Sequence, residues 1–214
     1  MSELLLTTEI LLQTTSRQQA AALDGGSDES LAERVRASGD RAAFALLVTR
    51  YRSRVVALAR RMLAAQSADE AEDVAQETFL AAYQKRGSYG RGLPFRPWLY
   101  RIAVNRCLDR LRAEARRPVL LRWDNVPEPS LPMTETDPLD SLLADEGEQL
   151  LRTAVTALPP KLRAVFLLRH LDALSYEEIG AATGVPVSTV KTHLFRARAL
   201  LRVALTEYLD LGSI

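Results

Sequence analysis

Five side chains near the C-terminus have types and spacing suited to reading DNA: Ser188, Lys191, Thr192, Phe195 and Arg196. On a helical wheel of about 100° per residue with Val190 at zero, Val187, Leu194, Ala197 and Leu201 fall within about 60° of it, and the five lie on the opposite arc. Cations and hydroxyls on such an arc reach phosphates and base edges in the major groove, and an aromatic ring edge meets a thymine methyl. The residues just upstream supply the matching scaffold. Glu177 to Thr183 reads as a short helix, Gly184 as the left-handed residue of a tight turn, and Ser188 or Thr189 as the cap of a second helix. Ile179, Val185 and Val190 fall where a helix-turn-helix needs apolar contacts, and Gly180 is small where the two helices would cross. His193 lies near the buried arc and reads as a packing residue rather than a ligand.

A second strip lies on the segment Trp98 to Arg116. Val104, Leu108 and Leu111 define its core face, with Tyr100 and Cys107 at the edge; Arg101, Asn105 and Arg112 share another strip flanked by Trp98. Guanidinium groups follow a phosphate backbone, an indole stacks on a base and an amide bonds a base edge, so this strip suits unpaired DNA. A third strip, Asp73, Gln76, Glu77, Leu80 and Gln84, opposes an inward face of Ala71, Val74, Thr78 and Ala81. An exposed leucine among acids and amides reads as a docking site for a basic protein surface. Asp73 and Glu77 as a catalytic pair lack a companion nucleophile or metal shell. With one cysteine, Cys107, and two histidines, His170 and His193, the sequence offers neither a disulfide nor a zinc site, so no metal or cofactor is expected.

The elements that must position these strips are helical throughout, which gives an all-α fold. From Ala42 to Leu63 apolar residues recur at three-and-four spacing: Phe44, Leu47, Val48, Tyr51, Val55, Leu58, Met62 and Leu63. The next helix, Asp69 to Tyr83, opens on four acids, a favourable start for the helix dipole. A loop follows where Gly87, Gly90, Gly92 and Pro94 cluster, and a third helix begins after Pro97. Five prolines between 118 and 138 mark a linker, and residues 123–148 hold eight acids and no base. The reading is of two small helical domains, 28–117 and 145–214, joined by an acidic, proline-rich linker over 118–144, with an extension 1–27 that packs as an amphipathic helix or is disordered.

The 214 residues carry 28 basic and 27 acidic side chains, yet the near-zero sum hides alternating blocks: −5 over 69–80, +9 over 81–122 and −8 over 123–151. Such blocks point to separate surfaces for polyanionic and basic partners. Glu3 and Glu9 stand where a signal peptide needs positive charge, and no apolar run is long enough to span a bilayer, so a cytoplasmic location without membrane insertion is expected.

The three strips, in this order, resemble the sigma factors of bacterial RNA polymerase, and in particular the extracytoplasmic-function group. The resemblance rests on DVAQETFLAAYQ at 73–84, PFRPWLYRIAVNRCLDRLR at 94–112 and LSYEEIGAATGVPVSTVKTHLFRARALLR at 174–202. It implies that 73–84 docks on the clamp helices of the polymerase largest subunit, and that the C-terminal domain meets the flap. By the same resemblance the helix of Trp98, Arg101, Asn105 and Arg112 melts and reads the minus-ten element. Ser188, Thr189, Lys191, Thr192, Phe195 and Arg196 would then enter the major groove of the minus-thirty-five element. An anti-sigma protein is a further possible partner. The acidic linker, repelled by DNA, is expected to occupy the basic RNA path of the polymerase. Two other classes stay open from the residues: a stand-alone regulator using only its helix-turn-helix, and an enzyme acting on nucleic acid.

Overall fold

Ser27 starts the first helix, α1 (Asp28–Ser38), which the spacing argument did not single out. Its hydroxyl accepts from the Ser30 N–H at 3.2 Å, Asp28 and Glu29 fill the first turn, and Gly39 closes the helix at φ 68°. Asp40 then caps α2 (Arg41–Leu63) by accepting from the Ala43 N–H at 3.0 Å, while Arg34 grips the same carboxylate at 2.7 Å. In this computed structural model residues 26–64, 68–90, 93–115 and 145–211 are described, and every longer element among them is an α-helix. The remaining ones are α3 (Ala68–Gln84), α4 (Phe95–Ala115), α5 (Asp145–Ala157), α6 (Pro160–Asp172), α7 (Tyr176–Thr183) and α8 (Val187–Leu211), with one 3-10 turn at Arg86–Ser88. Residues 1–25 of the expected extension 1–27, and the whole expected linker 118–144, lie outside the described residues.

All eight apolar positions read from the spacing of α2 are buried. α1, α3 and α4 cover them, and each fully buried large side chain contributes about 1.5–3 kcal/mol. Asp28 ties the entry of α1 to α2 by accepting from Arg50 at 2.6 Å and from the Tyr51 hydroxyl. α4 begins at Phe95, two residues before the proline expected to precede it. Pro97 sits in the first turn, where the missing N–H has no intrahelical partner to lose, and Glu29 accepts from the Phe95 N–H at 3.3 Å.

The C-terminal unit, α5 to α8, packs on the N-terminal unit and shares one continuous core with it. α6 lies against α2 and α7 against α4. Polar contacts pin this junction. Arg96 of α4 grips both Glu178 oxygens at 3.1 Å and donates to the Asp172 carbonyl at 3.3 Å. Arg163 of α6, 7% exposed, donates to the Met62 carbonyl at the end of α2.

Candidate nucleic-acid interface

The helix-turn-helix is built from local rules. Ser175 and Glu178 form a reciprocal capping box at the start of α7: the Ser175 hydroxyl accepts from the Glu178 N–H at 3.2 Å, and the Glu178 carboxylate accepts from the Ser175 N–H at 2.8 Å. Gly184 ends the helix at φ 74°, the left-handed conformation expected of it. A Cβ on Gly180 would meet the Val185 carbonyl oxygen at 2.9 Å, so the crossing tolerates only glycine without movement. One expectation needs correcting. Neither Ser188 nor Thr189 caps the second helix, because α8 already starts at Val187 and the Val190 N–H donates to the Pro186 carbonyl at 3.0 Å. Pro186 restricts the residue before it and is itself preset for helix entry, which shifts the start two or three residues earlier than the hydroxyls suggest.

With the helix placed this way, Val190, Leu194, Ala197 and Leu201 are buried and the opposite arc faces outward. Ser188, Lys191 and Thr192 are exposed; Thr189, Phe195 and Arg196 are half-buried. The Thr192 hydroxyl donates to the Ser188 carbonyl at 3.1 Å. His193 is half-buried, with a buried Nδ1 that finds no partner among the described residues. Burial, then the neighbouring Arg196 and Lys161 charges, hold its imidazole below the usual pKa, so it packs as a neutral ring.

On α4 the strip is exposed at Arg101, Asn105 and Arg112. Trp98 is half-buried in an aromatic cluster, its ring centroid 5.3 Å from Tyr89 and 5.8 Å from Phe95. Arg112 bonds Asp109 at 2.9 Å, a pair exposed on both sides and of small energetic weight. Arg101 reaches toward the other unit, with Nη2 3.8 Å from where a Cβ of Gly184 would lie. Behind the strip, Cys107 is fully buried, and burial pushes its thiol up to about 12. A maleimide probe at pH 8 is therefore expected to leave the native protein unlabelled and to label it on unfolding. Rapid native labelling would contradict this packing of α4.

On α3, Asp73, Gln76 and Gln84 are exposed. Leu80 differs from expectation: it is half-buried rather than exposed. Its neighbours one turn away are Gln76, Glu77 and Gln84, whose long stems border it on the helix surface. Glu77 bonds Arg110 of α4 at 2.7 Å, so the acidic strip and the α4 strip are fixed to one another. The structure thus brings two of the three strips together on one unit and sets the α8 arc on the other. Among the described residues no group of three or more His, Cys, Asp or Glu is placed to hold a metal, and no helix is long and apolar enough to cross a membrane.

The contacts that sequence reasoning missed are those at the junction: Arg96 with Glu178, Arg163 with Met62, and Asp172 of α6 with Arg54 (3.8 Å) and Tyr100. The Tyr100 hydroxyl faces the Asp172 carboxylate without completing a hydrogen bond of good geometry. Burial first, then that carboxylate, keep the phenol protonated far above its usual range. Only the carboxylate spacing of the capping box, three residues on from Ser175, was available as a signal for Glu178.

Comparison with known proteins follows the same division. The Sigma-70 region 2 profile matches residues 47–117 and the Sigma-70, region 4 profile matches residues 148–201. The ECF RNA polymerase sigma-E factor of Escherichia coli strain K12 is 38% identical over 177 residues, covering 80% of this chain and 91% of that one. The RNA polymerase sigma-H factor of Pseudomonas aeruginosa is 37% identical over 190 residues, covering 85% and 95%. Among solved structures, CnrH in complex with the cytosolic domain of CnrY superposes with a TM-score of 0.62 at 27% identity, over 84% of this chain and 97% of that one. The sigma factor RpoE of Bartonella quintana, solved with the anti-sigma factor NepR, shares the fold at a TM-score of 0.55 and 22% identity, over 74% and 94%. With relatives 37–38% identical matched over 91–95% of their own length, the chain belongs to the extracytoplasmic-function sigma factors of bacterial RNA polymerase.

Proposed function

We propose that this chain binds the polymerase core through the α3 strip of Asp73, Gln76, Glu77, Leu80 and Gln84, and directs initiation at promoters it reads with two helices. Arg101, Asn105 and Arg112 of α4, with Trp98, engage the minus-ten element as it melts; Ser188, Thr189, Lys191, Thr192, Phe195 and Arg196 of α8 engage the minus-thirty-five element. The observation that carries this reading is the outward polar arc of α8, set by a close crossing at Gly180 that only glycine accommodates without movement and by a left-handed turn at Gly184. The role is one of binding: unpaired bases captured on α4 offset lost stacking, with no covalent chemistry by the chain itself.

The packing of α7 on α4 also supports control by an anti-sigma protein. Arg96, two residues before Trp98 and five before Arg101 on α4, is held by Glu178, so the minus-ten helix and the helix-turn-helix are clasped together. Engaging two separated promoter elements requires that clasp to open, and a protein that stabilises it holds the factor inactive. CnrH, solved with the cytosolic domain of CnrY, offers a precedent for such a partner at 27% identity. The eight acids of 123–148 suit a basic path on the polymerase rather than DNA.

The test is transcription by core polymerase from a library of upstream regions with and without the protein. Promoter-specific transcripts that depend on the protein are expected, and their absence across the library would remove the reading. Two variants divide the labour. Arg196→Ala is expected to weaken minus-thirty-five duplex binding by about 1–3 kcal/mol. Asn105→Ala should leave that binding intact and slow open-complex formation about tenfold, for a lost base contact of similar size. The reverse pattern would contradict the assignment, and tight specific binding without polymerase would favour a stand-alone regulator.

A further inference from the structure

A cleft of about 550 Å³ opens between α2 and α5, bordered by Glu72 at the edge of the α3 strip and lined by no residue of the three strips themselves. Arg52, Arg60 and Arg61 line the α2 wall and Arg152 the α5 wall, with Ser53 and Thr153 also among the lining residues; Glu72 is the one carboxylate among the described lining residues. Arg52 already neutralises Glu72 at 2.9 Å. Arg60 and Arg61 meet no carboxylate among the described residues. Arg60 and Arg61 therefore give the α2 wall an excess of positive charge in a concave site, where low-dielectric walls focus the field.

The spacing of the walls is built in. Arg163 is buried beneath them and donates to the Met62 carbonyl at the end of α2, and to the Thr156 and Leu158 carbonyls at the end of α5, the last at 3.0 Å. One cation thus fixes the ends of both helices that form the cleft, so little ordering remains for a ligand to impose. Planar guanidinium groups present paired donors that match phosphate oxygens. A DNA duplex is too bulky for a concavity of this size, and a single phosphate leaves at least one wall untouched.

We propose that this cleft binds a small polyanion with two or more linked phosphates, a nucleoside polyphosphate or an inorganic polyphosphate chain, bridging α2 and α5. Because the walls belong to different units, the ligand binds only while they are packed together and stabilises that arrangement by mass action. On the functional reading above, it therefore restrains promoter engagement.

Binding is measured calorimetrically on the full chain without polymerase, so its outcome is independent of the transcription test. Sodium tripolyphosphate is expected to bind saturably at one site, more tightly than inorganic phosphate, and to raise the unfolding midpoint. Equal affinity for ATP would identify the phosphate chain as the recognised group, and tighter ATP binding would extend the site to the base; AMP should bind weakly in both cases. The double variant Arg60→Ala/Arg61→Ala and the single variant Arg152→Ala should each weaken tripolyphosphate binding about tenfold or more. Arg202→Ala, a basic residue outside the cleft, should not. Unchanged affinity in the cleft variants would overturn the proposal, as would phosphate binding as tightly as tripolyphosphate. A synthetic peptide of residues 123–148 that displaced tripolyphosphate at lower concentration would also overturn it, by assigning the cleft to acidic protein.

Discussion

Arg163→Ala is expected to lower the unfolding midpoint by about 10 °C and to expand the protein in solution. The side chain is 7% exposed, and burial lowers the pKa of its guanidinium without any carboxylate in compensation. What holds the charge is a set of carbonyls at two helix ends, Met62 on α2 and Thr156 and Leu158 on α5, each carrying the partial negative charge of a helix C-terminus. Removing the guanidinium strands those oxygens, at about 1–3 kcal/mol for each that stays dry. For three carbonyls, some of which regain water, a total of about 3–5 kcal/mol follows, and at this chain length each kcal/mol moves the midpoint by about 2–4 °C. Since the Met62 bond crosses between the units, the same loss favours their separation, read as a larger radius of gyration by small-angle scattering. Arg163→Met separates the causes: it keeps much of the packing volume and should still lose most of the stability. Arg163→Lys, one ammonium in place of a fork, should rescue only in part. An unchanged midpoint and radius in Arg163→Ala would sink the account.

That residue also marks the boundary of what the sequence makes legible. Arg163 is one of 25 arginines and follows two prolines at the head of a helix, where any surface cation fits. Its partners are backbone carbonyls, one of them 101 positions away, and a carbonyl leaves no trace in residue type. The Arg96–Glu178 clasp hides in the same way: its members sit 82 positions apart, and each has a local explanation, Glu178 as a capping-box acid and Arg96 as a basic residue beside the strip proposed to engage the minus-ten element. By contrast the helix-turn-helix was readable because its constraints are local. A left-handed turn needs Gly184, a close crossing needs Gly180, and the burial of Val190, Leu194, Ala197 and Leu201 follows from period alone. α1 had equally local signals in Ser27, Asp28 and Gly39, but its buried residues, Leu31, Ala32 and Val35, are too few for a periodic pattern to stand out. Leu80 was placed on the correct face, yet its exposure depended on how far neighbouring glutamine and glutamate stems extend, which period cannot supply.

Gly180→Val should be the most damaging single change to promoter recognition outside the contacting residues. A Cβ there lies 2.9 Å from the Val185 carbonyl oxygen, and the next nearest atoms are the Val187 and Val190 methyls at 3.9 Å. The obstructing group is backbone and cannot rotate away. Nor can the turn slide, because the Gly180 carbonyl already accepts from the Gly184 N–H at 2.8 Å and from the Val185 N–H at 3.2 Å. Relief must come from tilting α8 away from α7, which opens the contact around fully buried Ile179 and Val190. Overpacking of this kind costs about 1–3 kcal/mol for a single added methyl, so Gly180→Ala should stay folded while Gly180→Val should lose more. The tilt also moves Lys191 and Arg196 relative to α7, and binding to a minus-thirty-five duplex should fall at least about tenfold in Gly180→Ala, for the loss of one good base or phosphate contact. Gly184→Asn is the informative contrast. Its Cβ makes only an ordinary contact with Arg101 Nη2 at 3.8 Å, and the φ of 74° is a conformation that asparagine tolerates, so it should bind the duplex nearly as the parent does. Equal binding by Gly180→Ala and the parent, in a duplex titration at fixed salt, would show that the crossing of α7 and α8 does not set the reading arc.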